Sequence, residues 1–157
     1  MVIRVAGDCR DKVDSIQCFT AGGETFINRS MLHLFLVALG GAIGASLRHL
    51  TGQALLRLAG PGFPHGTMAV NIAGSFVMGL FIAWLTRRSG GSSNELRLFV
   101  ATGLLGGFTT FSAFSLDVAV LWERGQGLAA AMYVFGSVAL SIAALFTGLW
   151  LARSVAG

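Results

Sequence analysis

Between Gly103 and Ser115 the chain reads Gly-Leu-Leu-Gly-Gly-Phe-Thr-Thr-Phe-Ser-Ala-Phe-Ser, and this stretch carries most of the groups able to do chemistry. Thr109, Thr110, Ser112 and Ser115 offer hydroxyls, which donate hydrogen bonds and bear no charge. Phe111 and Phe114, three residues apart, offer ring edges carrying the positive lobe of the aromatic quadrupole. Elsewhere Asn71 adds an amide NH2, and Tyr133, Ser137 and Ser141 fall at i, i+4 and i+8, a track along one face of a helix. Such a lining strips water from a small anion without trapping it by full charge, as a conducting site requires. Taken singly, each of these residues serves as well as helix–helix glue or packing. Taken together they point to a pathway.

The same stretch predicts a broken helix. Three glycines in five residues carry a steep propensity cost, and the two β-branched threonines add a smaller one. The first half, Gly103 to Gly107, is therefore expected to helix poorly, inside a segment apolar enough to cross a membrane. Loosened backbone at that depth is tolerated only where it is buried in protein or lines a cavity. Where Gly106, Gly107 and Thr109 leave the helical ladder, their carbonyls need new partners. A monovalent cation at a subunit interface would serve, and so would a buried water.

Other chemistries find little support. No His/Cys/Asp cluster has metal-ligand spacing, and there is no nucleophile elbow. The Gly103–Gly107 run lacks the Gly-Lys-Ser/Thr ending of a phosphate cradle. Cys9 and Cys18, with eight residues between them, match no strong ligand pattern. His33, His49 and His65 sit at span ends or in a turn. An enzyme is not expected. Proton-coupled transport needs a buried relay, and the only acid within a span is Asp117, near the end of the third, where headgroups or an arginine would meet it.

The elements that must position these groups follow from composition. Hydrophobic residues make up 54% of the 157 and charged ones 11%, against about 25% charged in a soluble domain. The net charge of +4 comes from basic residues scattered between the apolar spans, with no nucleic-acid-binding stripe. Four apolar spans are expected: Leu32 to Leu58, Thr67 to Leu85, Leu96 to Leu121 and Leu128 to Ala152. Gly-Pro-Gly-Phe-Pro (Gly60 to Pro64) turns the chain after the first, residues 89–93 form a flexible link after the second, and Glu123 to Gly127 turns it after the third. Continuous apolar runs exclude a strand barrel. Residues 1 to 30 hold four of the seven acids and no apolar core, so they read as a disordered extension or a mis-assigned start, with Met31 opening the channel domain of residues 31–157.

With four spans, Arg87, Arg88, Arg97 and Arg153 fall on one side, and Arg57, Arg124 and Arg48 on the other. So weak a bias leaves two outcomes open: insertion both ways with head-to-tail pairing, or one topology governed by the double arginine. Four short helices enclose little volume, so a pathway between subunits is expected. Gly40/Gly44, Gly41/Ala45 and Ser75/Gly79 are small-xxx-small pairs suited to close helix contact, between subunits or within one.

Three motifs then stand in order: Gly41-Ala-Ile-Gly-Ala-Ser-Leu-Arg48, Gly66-Thr-Met-Ala-Val-Asn-Ile-Ala-Gly-Ser-Phe76, and Gly106-Gly-Phe-Thr-Thr-Phe-Ser-Ala-Phe-Ser115. In these the chain resembles the CrcB/Fluc fluoride channels, from about Met31 to Ala152. The resemblance implies an all-α integral membrane protein of four transmembrane helices, the third broken at its middle, forming an antiparallel, dual-topology homodimer in the cell membrane. It implies passive fluoride efflux through two pores between the subunits. By position, Phe111 and Phe114 would line the pore, Asn71 would be its amide donor, and Ser112, Tyr133, Ser137 and Ser141 would belong to the fluoride pathway. Gly106 and Thr109 would offer carbonyls to a structural sodium ion (Na+) shared by both subunits, and Arg48 would have a vestibule or structural role. Ala113 and His49 depart from the pattern, standing where a hydroxyl residue and an aromatic are common. The alternative function is a small dual-topology, proton-coupled exporter of organic cations, which would depend on Asp117.

Overall fold

The computed structural model describes residues 14–87 and 93–154. Regular structure among these is helical throughout: α1 (Asp14–Ala59), α2 (His65–Arg87), α3 (Ser93–Arg97), a π-helical stretch (Leu98–Leu105), the short turn α4 (Gly106–Phe108), α5 (Phe111–Glu123) and α6 (Gly127–Ser154). Four segments are long and apolar enough to cross a membrane: Asn28–Ala59, His65–Arg87, Asn94–Glu123 and Gly127–Ser154. Each contains an expected span and extends it by a few residues. Residues 1–13, which hold Cys9 and the first part of the expected extension, lie outside the described residues, as do Arg88 and residues 89–92 of the expected flexible link.

The chain divides into two compact units at Phe35 and Leu36. In the first, α1 begins at Asp14, and the side chains from Asn28 to Leu32 are exposed. The second unit carries every candidate site residue.

In that second unit, missing side chains bring backbones together. A Cβ at Gly79 would meet the Leu145 carbonyl, and one at Gly148 would meet the Phe76 carbonyl, so α2 and α6 cross in direct backbone contact. Gly40 and Gly44 of α1 lie as close to the carbonyls of Phe99 and Leu104. Gly40, Gly44 and Gly79, of the small-residue pairs, are thus used within one chain. At the turns, Gly60 (φ 78°) and Gly125 (φ 73°) take the left-handed conformation that ends a helix at low steric cost. The Gly60 N–H donates to the Leu56 carbonyl at 3.0 Å, and the Gly125 N–H to that of Trp122 at 2.9 Å.

The third span differs from expectation in where it breaks. Gly103 lies within the π-helical stretch and Gly106 and Gly107 within α4, so the glycine run is helical. The break falls one step later, at Thr109 (φ −83°, ψ 156°) and Thr110 (φ −153°, ψ 124°), both extended. Packing overrides propensity here. Gly103 rests against Gly40, where a Cβ would come within 3.0 Å of its Cα, and Gly107 rests against Gly41, within 2.6 Å of its carbonyl oxygen. The glycines serve backbone contact with α1, and two β-branched residues supply the extended conformation they favour.

The largest buried side chains gather beside the break. Phe114, Leu121, Ala130 and Tyr133 form a core between α5 and α6, with Phe63 and Met68 packed against it. Tyr133 is fully buried. Its ring lies 5.2 Å from that of Phe114, and the Phe63 ring meets it edge-on at 5.5 Å.

Candidate anion pathway

The break is held by one side chain from a neighbouring helix. Thr110 N–H donates to Asn71 Oδ1 at 2.8 Å, and Asn71 Nδ2 donates to the Thr110 carbonyl at 3.0 Å. An amide reproduces the donor and acceptor of a peptide group, so Asn71 supplies what the interrupted helix no longer does. Asn71 is therefore a backbone clamp as well as the expected donor, with one further N–H to give. On the other side of the break, Thr110 caps α5: its Oγ1 accepts from Ala113 N–H at 3.2 Å and pairs with Ser112 Oγ at 3.2 Å.

These two bonds divert the donors of two carbonyls. Helical order would bring Thr110 N–H to the Gly106 carbonyl and Ala113 N–H to that of Thr109. Thr110 N–H goes to Asn71, and Ala113 N–H goes to the Thr110 hydroxyl. The Thr109 side chain does not compensate, since its own Oγ1 donates to the Leu105 carbonyl at 3.0 Å. Gly106 and Thr109, the two residues expected to face a cation, lose their helical donors in this way, and the Gly107 and Phe108 carbonyls between them also lie across the interruption between α4 and α5. Neutral carbonyl oxygens suit a hard monovalent cation.

Beside the break lies a cleft of about 300 Å³. Five of the seven expected pathway residues line it: Asn71, Phe111, Phe114, Ser137 and Ser141. The Phe111 and Phe114 rings lie 5.5 Å apart and tilted by 38°. They differ sharply in exposure, Phe114 at 8% and Phe111 at 77%. Ser137 is buried, and its Oγ has no hydrogen-bond partner. A hydroxyl held in an apolar wall without a partner is costly unless something in the cleft accepts from it.

Ser112 and Tyr133 do not line this cleft. Ser112 is exposed and bonded to Thr110, and Tyr133 stands behind Phe114 with its hydroxyl donating to Asp117 Oδ2 at 3.0 Å. Asp117 accordingly meets a tyrosine, where headgroups or an arginine were expected. Thr110, one of the hydroxyls noted in the sequence, also lines the cleft, and so does Ser75, which the sequence offered only as half of a small-residue pair. Ser75 follows Asn71 by four residues, the helical spacing that placed Tyr133, Ser137 and Ser141 on one track.

A second cavity, also of about 300 Å³, is lined by Arg48, His49, Thr67, Thr110 and Ala113 among others. Arg48 Nε is buried there without a hydrogen-bond partner. His49 pairs with Gln53 at 3.4 Å on α1. Ala113 lines this chamber with Arg48. Thr110 alone lines both cavities, which makes it the partition between a guanidinium chamber and the ring cleft.

Known proteins bear on this geometry. The model of a family described as CrcB-like protein, Camphor Resistance (CrcB), matches residues 35–149. A protein of Mesorhizobium japonicum named fluoride-specific ion channel FluC is 66% identical over 125 residues, covering 80% of this chain and 99% of that relative. A Chelativorans protein of the same name is also 66% identical over 125 residues, with the same coverage. A Rhizobium etli protein so named is 56% identical over 126 residues, covering 80% of this chain and 100% of the relative. The four apolar helices, the clamped break and these matches lead to one statement: this multi-pass membrane protein belongs to the CrcB family.

Proposed function

We propose that this chain forms a fluoride-selective channel, which lets fluoride leave the cell passively and lowers its cytoplasmic level. One observation carries the reading: the cleft beside the break brings two phenyl rings and neutral polar side chains together, and no charged residue lines it. Fluoride is small and strongly hydrated, so it gains most from donors placed to replace water at close range. Ser137 Oγ and the remaining Asn71 N–H supply such donors, and the edges of Phe111 and Phe114 supply a weaker positive field. No coupling group is required. A negative-inside membrane drives an anion outward with about 2.3 kcal/mol per charge per 100 mV.

The working unit is an antiparallel homodimer in the lipid bilayer of the cell membrane. Phe111, 77% exposed in a single chain, would then be covered by the partner subunit. The Gly106 and Thr109 carbonyls, two from each subunit, would bind one sodium ion on the two-fold axis. Sodium supplies positive charge that holds four carbonyls together, and the break supplies the carbonyls. Arg48, on the far side of Thr110, would draw anions toward the partition from its chamber. The exporter reading depended on Asp117, which is bonded to the Tyr133 hydroxyl and lies off the cleft.

The test is flux from liposomes containing the purified protein. Fluoride efflux should exceed chloride efflux by orders of magnitude and should fall when sodium is replaced by a larger cation. Equal fluoride and chloride rates would refute selectivity.

A further inference from the structure

A third cavity lies away from the anion pathway. It is a groove of about 780 Å³ lined by Val77, Leu80, Phe81, Trp84 and Arg87 of α2, by Leu96 of α3, and by Leu151 and Ala152 of α6. At 3.6 residues per turn, its α2 positions fall on the side of that helix opposite Asn71 and Ser75. From Val77 to Arg87 the helix rises about 15 Å, half the ~30 Å hydrocarbon thickness of a bilayer. The groove is thus as deep as one leaflet. Its inner wall is aliphatic and aromatic, with the Phe81 and Trp84 rings 6.1 Å apart, and Trp84 lies one turn below the arginine, at the level where tryptophan meets the membrane interface.

Charge gathers only at the mouth. Arg87 lines the groove and donates from Nη2 to the Arg153 carbonyl at 2.8 Å, which fixes the guanidinium over the end of α6. Arg97 and Arg153 are exposed and adjoin the lining residues Leu96 and Ala152, and with Arg87 they outnumber the one exposed acid beside Leu96, Glu95. An apolar slot one leaflet deep, closed at the interface by cationic side chains, matches a phospholipid with an anionic headgroup.

We propose that this groove binds an anionic phospholipid, one acyl chain lying along Val77, Leu80 and Trp84 and the headgroup phosphate against Arg87. The site is independent of the fluoride pathway and does not rest on it.

The test uses full-length protein in which Trp122→Phe and Trp150→Phe leave Trp84 as the sole tryptophan. It is placed in vesicles containing phosphatidylglycerol or phosphatidylcholine with brominated acyl chains, which quench tryptophan on contact. Phosphatidylglycerol should quench Trp84 at about one fifth of the mole fraction that phosphatidylcholine needs, the effect of a single arginine at an anionic headgroup. Arg87→Gln should abolish that preference while contact quenching remains. Ala152→Phe, which fills the groove beside an intact Arg87, should reduce quenching by both lipids. Monodisperse elution of each variant establishes that it is folded. Equal quenching by the two lipids overturns the proposal, as does a preference that survives Arg87→Gln. Absence of quenching by either lipid overturns it too, because a second copy of the chain would then cover the groove.

Discussion

Asn71 and Thr110, 39 positions apart, are joined by a two-point contact in which a side-chain amide replaces a missing turn of helix. Removing it should do more than delete a donor. Asn71→Ala leaves the Thr110 N–H and carbonyl without their partner, at about 1–3 kcal/mol for each buried group. It also frees that N–H to return to the Gly106 carbonyl. The expected outcome is fluoride efflux reduced by about a hundredfold together with a weaker response to sodium, read in the same liposomes. Asn71→Asp keeps the acceptor, loses the donor and adds a negative charge, and should silence fluoride flux altogether.

Phe111 and Phe114 should separate function from stability. Both truncations to alanine should slow fluoride efflux, because both rings line the cleft. Phe114 is buried against Tyr133, so Phe114→Ala should also destabilise the protein by about 3 kcal/mol. Phe111 is exposed in one chain, so Phe111→Ala should spare the fold of a single subunit and weaken dimer formation. Thermal unfolding alongside a concentration-dependent dimer assay distinguishes the two.

Ser137→Ala should move stability and flux in opposite directions. Its buried hydroxyl lacks a protein partner, so removing it should stabilise the fold by about 1 kcal/mol. The same change removes a donor from the cleft and should cut fluoride efflux several-fold. Parallel measurement of Tm and efflux checks both signs.

Gly44→Ala adds a single methyl where the Leu104 carbonyl already stands. Overpacking of this kind costs about 1–3 kcal/mol, and here the displaced atom belongs to backbone. The π-helical stretch must shift, carrying Thr109 and Thr110 with it. Fluoride efflux should be lost in Gly44→Ala while Gly41→Ala, whose Cβ would meet nothing within 4 Å, keeps it.

The sequence made the four spans plain because hydropathy is a local signal, and charged or Gly/Pro-rich turns mark its ends. Phe111, Phe114, Ser137 and Ser141 were legible for a related reason: helical spacing puts them on shared faces, and the structure lines one cleft with them. The position of the break was legible only in part, since Thr109 was expected to leave the helical ladder and does, while Gly106 and Gly107 were expected to and do not. Propensity assigned it to the glycines, and the contacts that keep those glycines helical come from α1, some sixty residues earlier. The partner of Asp117 was hidden likewise, since Tyr133 OH reaches it from another helix. Ser112 and Tyr133 were read from type and spacing, which cannot tell a residue on the cleft wall from one standing behind it.

Thr110 also constrains the order in which the protein is made. An extended residue entering the bilayer with bare N–H and C=O groups faces several kcal/mol for each. Its partner Asn71 is translated first, so α2 can already be inserted when the break emerges. Ser137 and Ser141 arrive later, on α6. The costly backbone is therefore sheltered before the wall that completes the cleft is made.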